Sequence, residues 1–294
     1  MFGWTLDEER SFAVLDAYVR GGGNFIDTAD IYGRNGSGGL GGSERIIGRW
    51  LAARGNREEL VIATKVGMSE EVPGLSREAI RHGVRGSLER LGVQRIDLYY
   101  AHRDDPRTPL WETLAAFAEL IEEGRVRYVA ASNYSAPRLR EALTLGAEHD
   151  ELASYIALQP HYNLLERDYE GELAELCARA GLACIPYFGL ARGFLTGKYR
   201  RGGPEIQSPR AAGVRESYCN ERGFAVLDAL LEIAAAHDVT PGAVALAWLR
   251  LQSTVLAPIA SATSPEQLAE LMPSATLALA PAELECLTAA GAGE

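Results

Sequence analysis

Five short apolar runs, each closed by a polar residue of a kind that binds or reacts, constrain this chain more than anything else in it. They are NFIDTADIY (24–32), LVIATK (60–65), IDLYYAH (96–102), VRYVAASN (126–133) and IALQ (156–159). Between them lie stretches with helical spacing. Ile80, Val84, Leu88 and Leu91 line one, and Leu110, Leu114, Phe117 and Ile121 the next, because residues three or four apart share a helix face. Strand followed by helix, repeated, is the pattern of βαβ units. In a barrel built from such units, chemistry sits on the loops at the carboxyl ends of the strands. The series of polar strand ends therefore predicts an α/β fold, a TIM-type (β/α)8 barrel spanning 1–294 as one domain, and marks its active site.

Strand-like runs recur at 24–29, 60–65, 96–101, 126–131, 155–159, 182–187 and 254–259. Seven is one short of a closed barrel. The missing strand is the first, either absent or reduced to its last few residues (Met1 to Trp4): the chain opens MFGWTLDEER, and Leu6 to Arg20 already have helical spacing, with Phe12, Leu15 and Val19 on one face. Thr108-Pro109, Thr240-Pro241 and Ser264-Pro265 each set a hydroxyl before a proline, the signature of an N-cap followed by the first helical residue. Gly124 stands just past the helix that it ends. Two segments break the rhythm. RNGSGGLGGS (34–43) reads as a flexible loop over the site. Residues 188–221 carry six basic residues (Arg192, Lys198, Arg200, Arg201, Arg210, Arg215) against Glu205, Glu216 and Glu221, a positive segment suited either to an anionic cofactor or simply to solvent.

The whole chain carries 29 Lys and Arg against 40 Asp and Glu, a net charge of −11. That charge argues against a nucleic-acid or anionic-membrane role, which needs a basic footprint. No apolar stretch reads as a membrane span or a signal peptide. Cys177, Cys184, Cys219 and Cys286 lack metal-like spacing, so no metal is expected, and the thiols are read as reduced in a cytoplasmic protein.

Asp27, Tyr32, Lys65 and His102 are the candidate catalytic residues. Asp27 and Lys65 stand near the ends of neighbouring strands, placed to form a buried ion pair. A buried lysine beside a phenol favours the phenolate, lowering a pKa that starts near ~10. Such a phenol delivers a proton to a developing alkoxide, and His102 can hydrogen-bond the substrate oxygen. Singly, each residue has a bland explanation as a cap, a solvated charge or a core aromatic. Their joint position on successive strand ends is the signal.

NFIDTADIYG (24–33), ATK (63–65), SLERLGVQRIDLYYAH (87–102), SNYS (132–135), LQPHYNLLER (158–167), IPYFGLARGFLTGKY (185–199) and PIASATSPEQL (258–268) resemble the aldo-keto reductase family, in order and over essentially the whole chain. The resemblance implies a barrel that reduces an aldehyde or ketone with NADPH ahead of NADH and without a metal. It implies that Asp27, Tyr32, Lys65 and His102 form the catalytic tetrad with Tyr32 as proton donor, and that Tyr32, His102 and Trp4 border the substrate. Ser132, Asn133 and Gln159 match residues around the nicotinamide carboxamide, and Tyr187 the ring stacked on the nicotinamide. Phe188, Leu190, Arg192, Gly193 and Lys198 match the pyrophosphate loop, and Ser261 and Gln267 the segment receiving the adenosine phosphate. The chain departs from many relatives at Phe188-Gly189, where Ser-Pro is usual. It departs again at Ser261–Ser264, which has no cation, and at Leu271, where asparagine is frequent. Two other readings are weighed against the reductase. One is a barrel lyase using Lys65 as a Schiff-base nucleophile, and the other a nucleotide-binding subunit of the same fold without turnover. The sequence leaves the oligomeric state open.

Overall fold

The computed structural model describes residues 1–34, 36 and 38–292. They fall into two compact units, Met1–Gln159 with Arg179–Leu182 and Ser261–Pro265, and Pro160–Ala178 with Ala183–Ala260 and Glu266–Glu294.

In the first unit helices and strands alternate as α1 (Glu8–Arg20), β1 (Phe25–Asp27), α2 (Gly42–Arg54), β2 (Val61–Val66), α3 (Arg77–Leu91), β3 (Ile96–Ala101), α4 (Leu110–Glu122), β4 (Val126–Ser132), α5 (Ala136–Glu148) and β5 (Ala157–Gln159). Each strand pairs in parallel with the next: Asp27 opposite Ala63, Lys65 opposite Tyr100, Tyr100 opposite Ala130, and Ser132 opposite Gln159. In β2 and β3 all but one residue are buried, as expected of parallel strands covered on both faces. Ile26, Ile62, Leu98, Val129 and Leu158 pack with Ile47, Trp50, Ile80, Leu114, Phe117 and Leu139 of the helices as core. Local chemistry sets the helix ends. The carboxylate of Asp7 accepts from Arg10 N and the hydroxyl of Ser76 from Ala79 N, while Gly92 closes α3 at φ 64°, a left-handed cap that glycine adopts without strain.

As the sequence predicts, no strand precedes β1 among the described residues; Phe2 and Leu6 form only an isolated bridge across a turn. The first unit differs from the sequence expectations elsewhere. Thr108 does not cap α4: its hydroxyl donates to Asp105 Oδ2 at 2.9 Å, and Pro109 takes the cap position. A carboxylate is the better acceptor for that hydroxyl than a free backbone N–H is a donor to it. Ile121 is exposed, and Leu120 is buried in its place, because the helix repeat of 3.6 residues rotates the apolar stripe by the third turn. Of the glycine-rich segment, Asn35 and Ser37 lie outside the described residues. Its remainder is tied down, Arg45 donating to the carbonyls of Gly38 and Leu40.

The second unit contains α6 (Glu172–Ala180, whose last two residues belong to the first unit), β6 (Ala183–Cys184), α7 (Ala211–Tyr218), α8 (Glu221–His237), α9 (Pro241–Arg250), α10 (Pro265–Leu271, whose first residue belongs to the first unit) and α11 (Pro281–Ala292). Thr240 accepts from Ala243 N with Pro241 as first helical residue, as its sequence predicts. The run 254–259 is not a strand. It makes one parallel bridge, Val255 to Cys184, with Cys184 N to Thr254 O at 3.0 Å and Leu256 N to Cys184 O at 2.9 Å. Pro186 and Pro258 have no N–H to extend the ladder. Phe194, Val226, Leu230, Val244, Trp248 and Leu287 form this unit's core. Residues 188–221 contain a short 3-10 segment at Ala191–Thr196 and α7. No single described helix is long and apolar enough to cross a membrane.

Candidate active site

The first unit brings Asp27, Tyr32, Lys65 and His102 together. Parallel register sets Asp27 and Lys65 near the carboxyl ends of β1 and β2, and the Lys65 side chain is completely buried. Its ammonium is ion-paired with the Asp27 carboxylate and donates to the Thr28 carbonyl at 2.7 Å. An ammonium has three N–H donors, and the Tyr32 phenol lies on the side of the third, its charge acting on the lysine. The other Asp27 oxygen accepts from Gln159 Nε2 at 3.0 Å. Burial alone drives the proton off Lys65, but attraction to Asp27 and Tyr32 outweighs it, and the net effect raises the lysine's pKa. Lys65 Nζ lies 5.1 Å from the Tyr32 ring centroid and 5.6 Å from that of Tyr100.

Tyr32 follows β1 in a turn, its N–H bonded to Ala29 O and its carbonyl accepting from Ser43 N at the start of α2. It is 37% exposed, so the phenol is reachable from solvent while the ammonium behind it is not. The His102 ring stands edge-on to Tyr32 at 5.9 Å between centroids. Its backbone N–H bonds to Val66 O at 2.9 Å, continuing the pairing of β3 with β2. Buried Nδ1 of His102 has no hydrogen-bond partner among the described residues. Burial, then the charges of Lys65 and Arg103, push its pKa down to about 3, so the imidazole is neutral at physiological pH.

Ser132, Asn133 and Gln159 join the same site. Ser132 Oγ donates to the Gln159 carbonyl at 2.9 Å, and Asn133 Nδ2 donates to Ser132 Oγ and to the His102 carbonyl, both at 3.0 Å. Asn133 has φ 55°, which turns the chain sharply after β4. Trp4, in the opening turn, and Ser261 also belong to this unit.

The other sequence candidates lie in the second unit. Tyr187 stacks on His161 with centroids 5.2 Å apart. The Arg192 guanidinium sits 5.0 Å and that of Arg210 5.9 Å from the Phe188 ring centroid. Phe188, Ala191 and Arg192 have φ of 56°, 46° and 56°, followed by Gly193 at 99°. Side chains in that region cost about 1–2 kcal/mol per residue, and such strain clusters at ligand sites. Lys198 reaches under the turn, where a Cβ on Gly193 would come within 3.1 Å of its Nζ. Burial and then the charge of Arg210 lower the lysine's pKa. Leu190 precedes this turn, and Gln267 lies on α10.

Sequence reasoning missed the polar cluster behind Lys65. Glu44 is fully buried, accepting from the Thr64 hydroxyl and from Arg90 Nε, each at 2.6 Å. Asp30 is buried with Oδ1 unpartnered among the described residues, and Thr28 Oγ1 donates to Ser43 Oγ at 2.8 Å. His161 was also missed; its Nε2 is buried and unpartnered among the described residues. Only the position of Asp30 between two residues of the tetrad motif could have drawn notice.

Comparison with known proteins accounts for this arrangement. The model of the aldo/keto reductase family matches residues 1–291. The chain is 37% identical to aldo-keto reductase str7 of Strobilurus tenacellus over 84% of this chain and 70% of that protein. It is 34% identical to a probable voltage-gated potassium channel subunit beta of Oryza sativa subsp. japonica, over 92% of this chain and 83% of the relative. It is 33% identical to the aldo-keto reductase yakc [NADP(+)] of Schizosaccharomyces pombe, over 86% and 74%. Alternating helices and parallel strands, polar groups at strand ends and this match along nearly the full length agree: the chain belongs to the aldo/keto reductase family, (β/α)8-barrel oxidoreductases that use a nicotinamide cofactor on small carbonyl substrates.

Proposed function

We propose that this protein is a cytoplasmic NADPH-dependent reductase of aldehydes or ketones, with Tyr32 as proton donor and Lys65, Asp27 and His102 as its supporting groups. The observation that carries this reading is the buried Lys65 ammonium, paired with the Asp27 carboxylate and 5.1 Å from the ring centroid of the accessible Tyr32. The residues fit the cofactor. Ser132, Asn133 and Gln159 form a connected set of amides and a hydroxyl beside the tetrad, the chemistry that recognises a carboxamide. In the second unit Arg192, Arg210 and Lys198 gather at a left-handed turn, with charge and backbone geometry suited to a diphosphate. Tyr187, Phe188, Leu190 and Gly193 are assigned to the same cofactor, as are Ser261 and Gln267 at its adenosine phosphate. NADPH is preferred because a relative's name carries NADP(+). When bound there, a dihydronicotinamide would supply the hydride that the carbonyl carbon accepts.

Tyr32 gives its proton to the carbonyl oxygen as negative charge develops there, and the fixed charge of Lys65 stabilises the phenolate that remains. Asp27 keeps Lys65 charged and oriented. With its proton assigned to Nε2, neutral His102 leaves only a lone pair buried at Nδ1 and turns a donor toward the substrate oxygen. Trp4 is assigned to the substrate border. The charged, ion-paired Lys65 disfavours the lyase alternative, since a Schiff base needs a free amine lone pair.

In Tyr32→Phe, kcat should fall by about 10²–10⁴, the usual worth of a positioned proton donor, while NADPH affinity in a fluorescence titration stays within about twofold. Normal turnover of an aldehyde panel by that variant removes Tyr32 from the role. The likeness to a potassium channel subunit beta supports a second reading, a binding subunit. Tight NADPH binding with no turnover on any carbonyl would establish that one instead.

A further inference from the structure

Behind the tetrad, three carboxyl groups share a buried region with two cations. Asp27 is paired with Lys65 and Glu44 with Arg90. Asp30 is ion-paired with neither cation, and its Oδ1 is buried without a partner among the described residues. Yet it is bound closely to the catalytic lysine, since Asp30 N donates to the Lys65 carbonyl at 3.2 Å while the Lys65 ammonium donates to the carbonyl of Thr28, two residues before Asp30. The charged and titratable groups around it are Glu44 from α2, Arg90 from α3, Lys65 from β2 and Tyr99 from β3. Tyr99 is itself completely buried with its hydroxyl unpartnered among the described residues, in a space that Gly83 keeps open: a Cβ there would lie 3.0 Å from that oxygen.

We propose that Asp30 is a positioning residue for the reductase reaction that holds a proton, so that one buried negative charge rather than two acts on the Lys65 ammonium. The proposal rests on the reductase reading above. A carboxyl buried beside an ionised neighbour without a cation of its own keeps its proton. Burial and the charge of Glu44, only partly offset by Arg90 and Lys65, push the Asp30 pKa up to about 7. Below that pH the positive charge of Lys65 is shared between Asp27 and Tyr32. Above it, a second negative charge screens the ammonium, and the phenolate left when Tyr32 gives up its proton is less well stabilised.

The test is the pH profile of kcat for reduction of a simple aldehyde by the full chain with NADPH, together with infrared difference spectra of the protein alone. Wild type should lose roughly tenfold in kcat as pH rises through about 7, the effect of one added charge at moderate separation in a medium of effective dielectric about 20. Asp30→Asn, fixed in the uncharged form, should lack that decline. Glu44→Gln should move the decline to lower pH, which a purely structural role for Asp30 would not do. The infrared spectrum should show a protonated-carboxyl band that titrates with the decline and is missing in Asp30→Asn. A flat wild-type profile, the same decline in Asp30→Asn, or no such band overturns the role of Asp30 while leaving the reductase intact. Absence of wild-type turnover overturns the reductase reading, and this role with it.

Discussion

Separating the charges of Asp27 and Lys65 is the most direct physical test of how the site is held. The Lys65 side chain is wholly buried and that of Asp27 is 6% exposed. In Lys65→Met the Asp27 carboxylate keeps, among the described residues, the N–H of Gln159; in Asp27→Asn the ammonium keeps the Thr28 carbonyl. Stranding one partner of a buried pair costs about 3–5 kcal/mol, because the remaining charge has lost both water and counterion. Replacing both removes the charges together, and asparagine still accepts from Gln159. The double variant should therefore be about 2–3 kcal/mol more stable than the sum of the singles predicts. With roughly 2–4 °C of melting temperature per kcal/mol for a chain approaching this size, each single should melt roughly 6–20 °C below wild type. Thermal unfolding followed by circular dichroism at pH 7 gives all four corners of the cycle. Singles costing under about 1 kcal/mol, or a double equal to their sum, would refute the claim that a dry ion pair anchors the site.

Two further outcomes concern the imidazole and the basic turn. Because burial first, and then Lys65 and Arg103, depress the His102 pKa from 6.5 to about 3, the folded state binds fewer protons than the unfolded state between those values. The stability that it contributes is present above pH 6.5 and drains as pH falls toward 3, so His102→Asn should flatten the acid-side slope in that window by up to about 1.4 kcal/mol per pH unit; NMR of the wild-type ring should show a neutral imidazole from pH 8 down to 5, and a titration near 6.5 would contradict the buried geometry. Arg192→Ala should weaken NADPH binding about tenfold at low ionic strength and less at high, since salt screens the guanidinium's pull on a phosphate; equal affinity in a fluorescence titration would detach this side chain from the cofactor.

The positions of the four candidate residues were legible because parallel strands alternating with helices announce their ends. A polar residue after FI, IAT or LYYA has few places to go except the carboxyl rim, and Asp27, Lys65 and His102 are found there. The cluster of Glu44, Arg90 and Asp30 was not legible. Arg90 and Glu44 sit on helices among other charges, where a surface position is the ordinary expectation, and their ion pair joins residues 46 positions apart. Thr108 was misread for a related reason. Its hydroxyl had a local backbone option, and a carboxylate three residues away competed for it. The register of short pairings such as Cys184 with Val255 depends on which prolines fall where, a property of two segments at once rather than of either alone.

The left-handed backbone at Phe188, Ala191 and Arg192 has an evolutionary corollary. A library of this chain selected only for heat resistance would enrich glycine or asparagine at these three codons, since those residues enter that conformation at little cost. Selection for retention of a nucleotide would keep the arginine. The same few positions would thus drift apart under the two regimes, and sequencing both survivor pools would reveal which of these side chains earns its place through binding rather than folding.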